Sequence, residues 1–491
     1  MNQRSVLRVV LGLVMVAPLA CGGADGAVVP LGACLPSAGG ASGAGGLPAG
    51  GQSPDAAAPA TGGTMTTADA GAGGADGGPL AVVFTEDEAD SIMNNLAVMP
   101  PAPWEDKTNK YGDDPAAAVL GQKFYFESRY SANGKVSCST CHSPSMGFQD
   151  ARANTSSGPD ATMFTGRHAP TVINAAYGSG KASGGSWHFW DGRADSQWSQ
   201  ALGPHESGTE MGGSRTGIAL LIQQFYKAEY ELVFKDHPMP SLVGVTAGVT
   251  GGSDAWAALS PELQHNVNEI YVNFGKAIAA YERKIISRNS RYDAFLTAFQ
   301  AGDPNSTALT YEEKLGLKVF VGKGLCVSCH RGPNLTDWKF HNIGTQQLGP
   351  NIPAMDVGRT AGVDTVTKGA FKTFNCMSEW SDHPNKDQCP VASLTVKSTD
   401  LGAFKTPGLR DVSKTAPYKH TGRLKTLEEV VEHYDMGGGA PNTFVGMVDA
   451  PDIAPLHLTA AEKAALVKFM KALDGEPLAP SLMTAPALPG I

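Results

Sequence analysis

Apolar side chains recur at helical spacing over residues 116–126, 262–286, 311–321, 427–434 and 460–473. In the longest of these, Ile270, Tyr271, Phe274, Ile278, Tyr281 and Ile285 fall on one stripe, the pattern of a helix with one face toward a core. Thr459 stands where an N-cap is needed, with Glu462 three residues on as its capping-box partner. Sustained alternation of apolar and polar positions is lacking, so the pattern predicts a mostly α fold. A Gly/Ser-rich insertion interrupts the chain at 178–186, and 345–399 reads as a long loop suited to docking a partner.

The first 79 residues follow a different pattern. Arg4 and Arg8 precede an apolar run over 9–20, too short to span a bilayer and matched to the core of an export signal at 1–20. Cys21 follows Pro18, Leu19 and Ala20, which resembles a lipoprotein cleavage site; the alternative is ordinary signal cleavage, with Cys21 discarded or left as a spare thiol. Residues 21–79 are Gly, Ala, Pro, Ser and Thr with few bulky side chains, and cannot bury enough apolar surface to offset their ordering entropy. They read as a disordered tether in which Cys34 has no obvious partner. The chain has 491 residues, a net charge of -9 and 42% hydrophobic residues. This balance excludes a polybasic nucleic-acid or membrane-surface binder, a multi-span membrane protein and a wholly disordered chain. The export signal places the expected protein in the periplasm, with a lipid anchor if Cys21 is modified.

Cysteine spacing supplies the chemistry. Cys138-Ser-Thr-Cys141-His142 and Cys326-Val-Ser-Cys329-His330 each match the Cys-x-x-Cys-His attachment signature of c-type haem, two thiols for the vinyl groups and an imidazole for the iron. Neither has a second Cys-x-x-Cys nearby to complete a zinc site, and no βαβ pattern marks a thioredoxin-like pair. Each signature follows a predicted helix, a repeat that suggests duplication. The expected architecture is two cytochrome-c-like lobes, at 80–245 and 246–475, joined near 240–258 and followed by a tail at 476–491. In an oxidising compartment Cys376 and Cys389 are expected to close a local disulfide loop.

The chain resembles the bacterial di-haem cytochrome c peroxidase and MauG superfamily over about 80–475. The first lobe carries Leu120-Gly-Gln-Lys-Phe-Tyr-Phe, Arg167-His-Ala-Pro-Thr, Phe189-Trp-Asp-Gly-Arg, Gln200-Ala-Leu-Gly-Pro and Glu210-Met. The second carries Phe340-His-Asn-Ile-Gly, Phe404-Lys-Thr-Pro-Gly-Leu-Arg, Thr415-Ala-Pro-Tyr-Lys-His and Thr426-Leu-Glu-Glu-Val-Val-Glu-His-Tyr. The resemblance implies that the haem on His142 reacts with peroxide and that the haem on His330 has a sixth protein ligand and transfers electrons. It implies Glu210 as the distal acid/base, Gln200 as its companion and Trp190 as the conduit between the haems.

Two departures bear on the chemistry. Residues 154–166 contain no histidine that could block the first haem, and His168 and His188 are the nearest candidates. The first haem is therefore expected to be open without prior reduction. Where the typical peroxidases have a methionine ligand to the second haem, this chain has Tyr434, the MauG-like pattern, with Met436 and His433 as fallbacks. Calcium between the haems would draw on the Thr415 and Pro417 carbonyls, but His168 replaces the usual asparagine and is a poorer ligand for a hard cation.

The resulting reading is a periplasmic di-haem peroxidase that reduces hydrogen peroxide with electrons from a small c-type cytochrome or cupredoxin. The alternatives are MauG-like, peroxide-dependent oxidation of a partner protein, and a non-catalytic di-haem electron carrier.

Overall fold

The computed structural model of the chain describes residues 81–152, 154–178, 187–439 and 452–490. The expected export signal at 1–20, Cys21, the tether at 21–79 with Cys34, and most of the insertion at 178–186 lie outside the described residues. Helices of seven or more residues are α1 Glu86–Asn95, α2 Pro115–Phe126, α3 Gln197–Glu206, α4 Arg215–Phe225, α5 Lys227–Val233, α6 Pro261–Glu282, α7 Arg291–Gln300, α8 Tyr311–Val321, α9 Arg359–Thr367, α10 Leu427–Asp435 and α11 Ala460–Lys471. Sheet among the described residues is one antiparallel ribbon, β1 Phe340–His341 with β2 Phe404–Lys405, in which Phe340 lies opposite Lys405.

Local chemistry explains where the helices begin. Asp114 accepts from the N–H groups of Ala116 and Ala117, with Pro115 in the first turn where its missing N–H costs nothing. Thr310 with Glu313, Thr426 with Glu429 and Thr459 with Glu462 form capping boxes at α8, α10 and α11. The helix α6 stops at Glu282, short of the expected 286. The helices α1, α3 to α5, α7 and α9 were not legible. The start of α1 is acidic and only Ile92 is buried, while α3 carries Pro204 in its last turn.

Two cores divide the helices. In the first, Phe124 of α2 packs on Tyr226, Phe274 of α6 and Tyr130, with ring centroids 5.2, 5.1 and 6.1 Å away. In the second, Phe320 of α8 meets Phe469 of α11 at 5.3 Å, beside Tyr292 and Phe295 of α7. Each fully buried aromatic contributes roughly 1.5–3 kcal/mol of transfer free energy. The cores correct the expected division at 245/246. Helix α6 lies beyond that boundary yet its stripe fills the first core, whereas Ile92 and Leu96 precede it and pack in the second. Sequence order misplaced them because each lobe closes on a helix brought in from a distance.

The duplication inferred from the helix-then-motif layout has a packing counterpart. Gly121 of α2 lies against α6 so closely that a Cβ there would sit 1.8 Å from the Ala277 carbonyl oxygen; Gly316 of α8 lies against α11, where a Cβ would sit 2.1 Å from that of Ala465. In both lobes a Leu-Gly step lets the helix before the haem motif cross the closing helix backbone to backbone.

Cys376 and Cys389 form the expected disulfide, packed with Val366, Phe371, Val391 and Ala194 in a third cluster. The backbone N–H of Cys376 donates to Asp195 at 2.7 Å, fixing this loop to the first lobe. The tail is ordered against the first lobe too: Tyr281 donates its hydroxyl to the Leu482 carbonyl at 2.5 Å, and Arg129 donates to that of Pro489 at 3.0 Å.

Candidate active site

The first motif opens a helical turn, Cys138–Cys141, after the short loop that follows α2. Tyr125 of α2 donates its hydroxyl to the His142 carbonyl at 2.7 Å, and the His142 Nδ1 lies 3.3 Å from the Phe148 carbonyl. The second motif repeats this arrangement, with His330 Nδ1 2.9 Å from the Leu335 carbonyl. Donation from Nδ1–H fixes the tautomer and leaves the Nε2 lone pair of both rings for a metal. Burial lowers the pKa of His142, and lowers that of His330 to about 4, so both imidazoles are neutral as a ligand must be. Four unpaired cysteines, Cys138, Cys141, Cys326 and Cys329, complete the two sites. This donor set fits two covalently attached haem groups.

A cavity of about 630 Å³ opens beside the first motif, within the usual range of cofactor sites. Cys138, Cys141, His142, Trp190, Gln200 and Glu210 all line it, so residues spread over 73 positions of sequence converge on one space. Gln200 lies on α3. Pro204 offers no N–H to the Gln200 carbonyl, and the chain turns out of α3 toward Glu210. The turn carrying Glu210 is tied to the loop before Cys138 by the Ala132 N–H, which donates to the Met211 carbonyl at 2.9 Å.

His168 and His188 also line this cavity, and both are buried. The His168 ring is held, its Nε2 2.7 Å from Gln149 Oε1 and its Nδ1 3.1 Å from the Asn154 carbonyl. Desolvation lowers its pKa to about 4, and that of His188 to about 3. No comparison shows the calcium expected on the Thr415 and Pro417 carbonyls. Gln149 points its amide N–H at the Ala416 carbonyl (2.6 Å), and Thr415 donates its hydroxyl to Val412. Amide N–H groups and an imidazole are poor company for a hard cation.

At the second motif Tyr434 of α10 faces the haem attachment point. Its hydroxyl is held neutral by burial, with smaller contributions from the nearby Cys326 and Cys329 sulfurs. The Lys419 ammonium lies 4.0 Å from the Tyr434 ring centroid. Met436 is 58% exposed, pointing away from the core. His433 turns its Nε2 to the Ile343 carbonyl at 2.9 Å.

Between the motifs, Trp190 donates its indole N–H to the His168 carbonyl at 2.8 Å, and its own carbonyl accepts from the Lys405 N–H at 2.7 Å. Arg167 pairs with Asp356 through Nε at 2.6 Å and Nη2 at 2.7 Å, and its Nη1 lies 2.6 Å from Asp191. The Arg167 and Trp190 motifs thus meet each other and the second lobe.

Sequence reasoning missed Glu282, Lys405 and Trp338, which line the first cavity. Glu282 ends α6, and burial pushes its carboxyl up to about 8 against the opposing hydrogen bond from Gln197. Lys405 belongs to the Phe404-Lys-Thr-Pro-Gly-Leu-Arg segment, but nothing in one sequence shows a lysine turned inward.

The helical fold with paired haem-attachment motifs defines a c-type di-haem protein. Residues 115–301 match the family model for di-haem cytochrome c peroxidase. The chain is 30% identical over 408 residues to cytochrome-c peroxidase IdrP1 of Denitromonas iodatirespirans, covering 82% of this chain and 91% of that one. It is 28% identical over 375 residues to methylamine utilization protein MauG of Methylorubrum extorquens, covering 76% and 82%. A solved MauG-like protein associated with microbial copper homeostasis shares the fold, with a TM-score of 0.51, 23% identity, and coverage of 80% of this chain and 98% of that one. The chain belongs to the di-haem cytochrome c peroxidase and MauG family. It is an oxidoreductase with two c-type haems and a peroxidase function.

Proposed function

We propose that this protein is a periplasmic peroxidase that reduces hydrogen peroxide to water at the first site, with electrons delivered by a small c-type cytochrome or cupredoxin. The observation that carries this reading is the shared cavity of His142, Gln200 and Glu210. Haem bound on His142 supplies the iron at which the O–O bond is cleaved. Glu210 takes the first proton of peroxide and returns a proton to the departing oxygen, work typically worth roughly 10²- to 10⁴-fold. Gln200 holds the peroxide or its water in reach of Glu210. Trp190, tied to the second lobe through Lys405, lies on the route by which electrons arrive from the second site. The export signal and Cys21 support a periplasmic, lipid-anchored placement, checked by the mass of the mature N-terminus.

The test is Glu210→Gln in fully haem-loaded protein. Peroxide consumption falls by about 10²- to 10⁴-fold if Glu210 moves the proton; an unchanged rate overturns the assignment of Glu210, and a wild type that consumes no peroxide favours a plain electron carrier. A second reading, MauG-like oxidation of a partner protein, draws support from Tyr434 facing Cys326 and Cys329 while Met436 is exposed. A first haem that reacts with peroxide in the diferric protein, without prior reduction, favours it.

A further inference from the structure

Lys405 stands at the wall of the first cavity with a charge that the protein leaves unpaired. On β2, Phe404 stacks on His420 with ring centroids 3.6 Å apart. Successive strand residues point to opposite faces, so Lys405 is sent the other way, and it lines the first cavity. Its backbone N–H donates to the Trp190 carbonyl at 2.7 Å, which fixes where the side chain starts. Three more cations line this cavity, and each has a carboxylate. Arg167 has Asp191 and Asp356, both at 2.6 Å, Arg193 has Asp191 at 3.2 Å, and Arg410 has Asp293 at 2.6 Å. The Lys405 ammonium has no carboxylate and no hydrogen-bond acceptor among the described residues, and burial lowers its pKa to about 8 with no anion opposing the shift. Its near neighbours are the Trp338 ring, 5.0 Å from Nζ to the centroid, and His188, whose ring is neutral. An aromatic face is a weak substitute for an anion, and an ammonium taken out of water without one is costly. The occupant of the cavity therefore has to bring the negative charge.

We propose that Lys405 binds a propionate carboxylate of the first haem, so that the half of the chain carrying the second motif supplies a counter-charge for the haem of the first. Haem c fits this requirement from both edges. Its two vinyl groups are taken by Cys138 and Cys141, and its two propionates leave the opposite edge of the ring as carboxylates. The resulting ammonium–carboxylate contact is charge-assisted and shielded from water, where salt screens it least. The same residue holds Trp190 through its main chain, so Lys405 is a positioning residue that sets the propionate edge of the first haem beside Trp190. The contact is a pairing of charges, with no bond made or broken. It draws on haem attachment at the first motif and not on what that haem reacts with.

The test is a crystal structure of the haem-loaded wild type, paired with potentiometric titration of Lys405→Met and Lys405→Arg. The structure should place a propionate oxygen of the first haem within about 4 Å of Nζ. Losing the buried cation should shift the reduction equilibrium of the first haem about tenfold toward the ferric form, a fall of about 59 mV for one electron. Lys405→Arg keeps the charge and should recover most of that shift. Propionates held by Arg193 or by water alone, with Nζ farther away or on a solvent anion, overturn the proposal. An unchanged first-haem potential in Lys405→Met overturns it too. If Lys405→Met does not take up haem, the wild-type structure decides by itself. Neither readout uses peroxide, so a failed peroxidase reading leaves this result standing, and a misplaced propionate leaves that reading standing.

Discussion

The indole N–H of Trp190 is bonded to the carbonyl oxygen of His168 at 2.8 Å, and the N–H of His168 is bonded to the carbonyl oxygen of His420 at 2.7 Å. One aromatic ring of the first lobe is thus fixed, through two main-chain steps, to the Tyr-Lys-His segment of the second. Trp190→Phe keeps the ring and loses the bond. Peroxide reaction in the first turnover should be unaffected, while steady-state turnover with reduced cytochrome c should fall by about tenfold. Stopped-flow and steady-state rates on the same preparation check this.

His168 turns Nε2 to Gln149 Oε1 and Nδ1 to the Asn154 carbonyl, and as a neutral imidazole it donates to one of them. His168→Ala should leave Gln149 Oε1 unsatisfied and destabilise the protein by about 1–3 kcal/mol. The spin state of the first haem, read by EPR, should not change; a low-spin to high-spin conversion in this variant would falsify the structural role.

We propose Tyr434, whose hydroxyl is buried near Cys326 and Cys329, as the sixth ligand of the second haem. Replacing it with methionine should raise that haem's reduction potential, since thioether ligation favours the reduced iron over phenolate ligation. Met436→Ala should leave the potential where it is, because Met436 is exposed. Potentiometric titration of both variants decides between the two residues.

Glu282 predicts a pH dependence of stability. Its carboxyl has an ordinary value of 4.5 in the unfolded chain and is pushed up to about 8 in the fold, first by burial. Between those values the unfolded state has released the proton and the folded state keeps it, so stability falls as pH rises through this window and levels above it. The loss amounts to a few kcal/mol, since each tenfold change in a protonation equilibrium is worth about 1.4 kcal/mol. Urea unfolding at pH 5 and pH 8 should show this decline in wild type and a flatter profile in Glu282→Gln.

Gly121 and Gly316 predict matched defects. Alanine improves helix propensity by roughly 0.5–1 kcal/mol, but its Cβ would overlap a carbonyl oxygen of the crossing helix in either lobe. Overpacking costs about 1–3 kcal/mol, so the net effect is destabilising. Both variants should melt below wild type.

The sequence by itself determined the parts of this protein whose physics is local. Cys-x-x-Cys-His needs only adjacent residues, so both haem sites were legible, as were the capped, strongly periodic helices α8 and α11. The family motifs, read from adjacent residues, point to Glu210, Gln200 and Trp190, which line the first cavity. Tertiary structure alone decided what depends on residues distant in the chain. It assigned α6 to the first core and α1 to the second, because a lobe is closed by whichever apolar stripe reaches it. It buried the Tyr434 hydroxyl and left Met436 exposed, since neighbours on a helix point in different directions and only packing says which direction is inward. It also turned Lys405, Glu282 and Trp338 toward the first cavity. Their orientation, and the pKa of Lys405 and Glu282, follow from burial, a property of the assembled fold and of no single stretch of sequence.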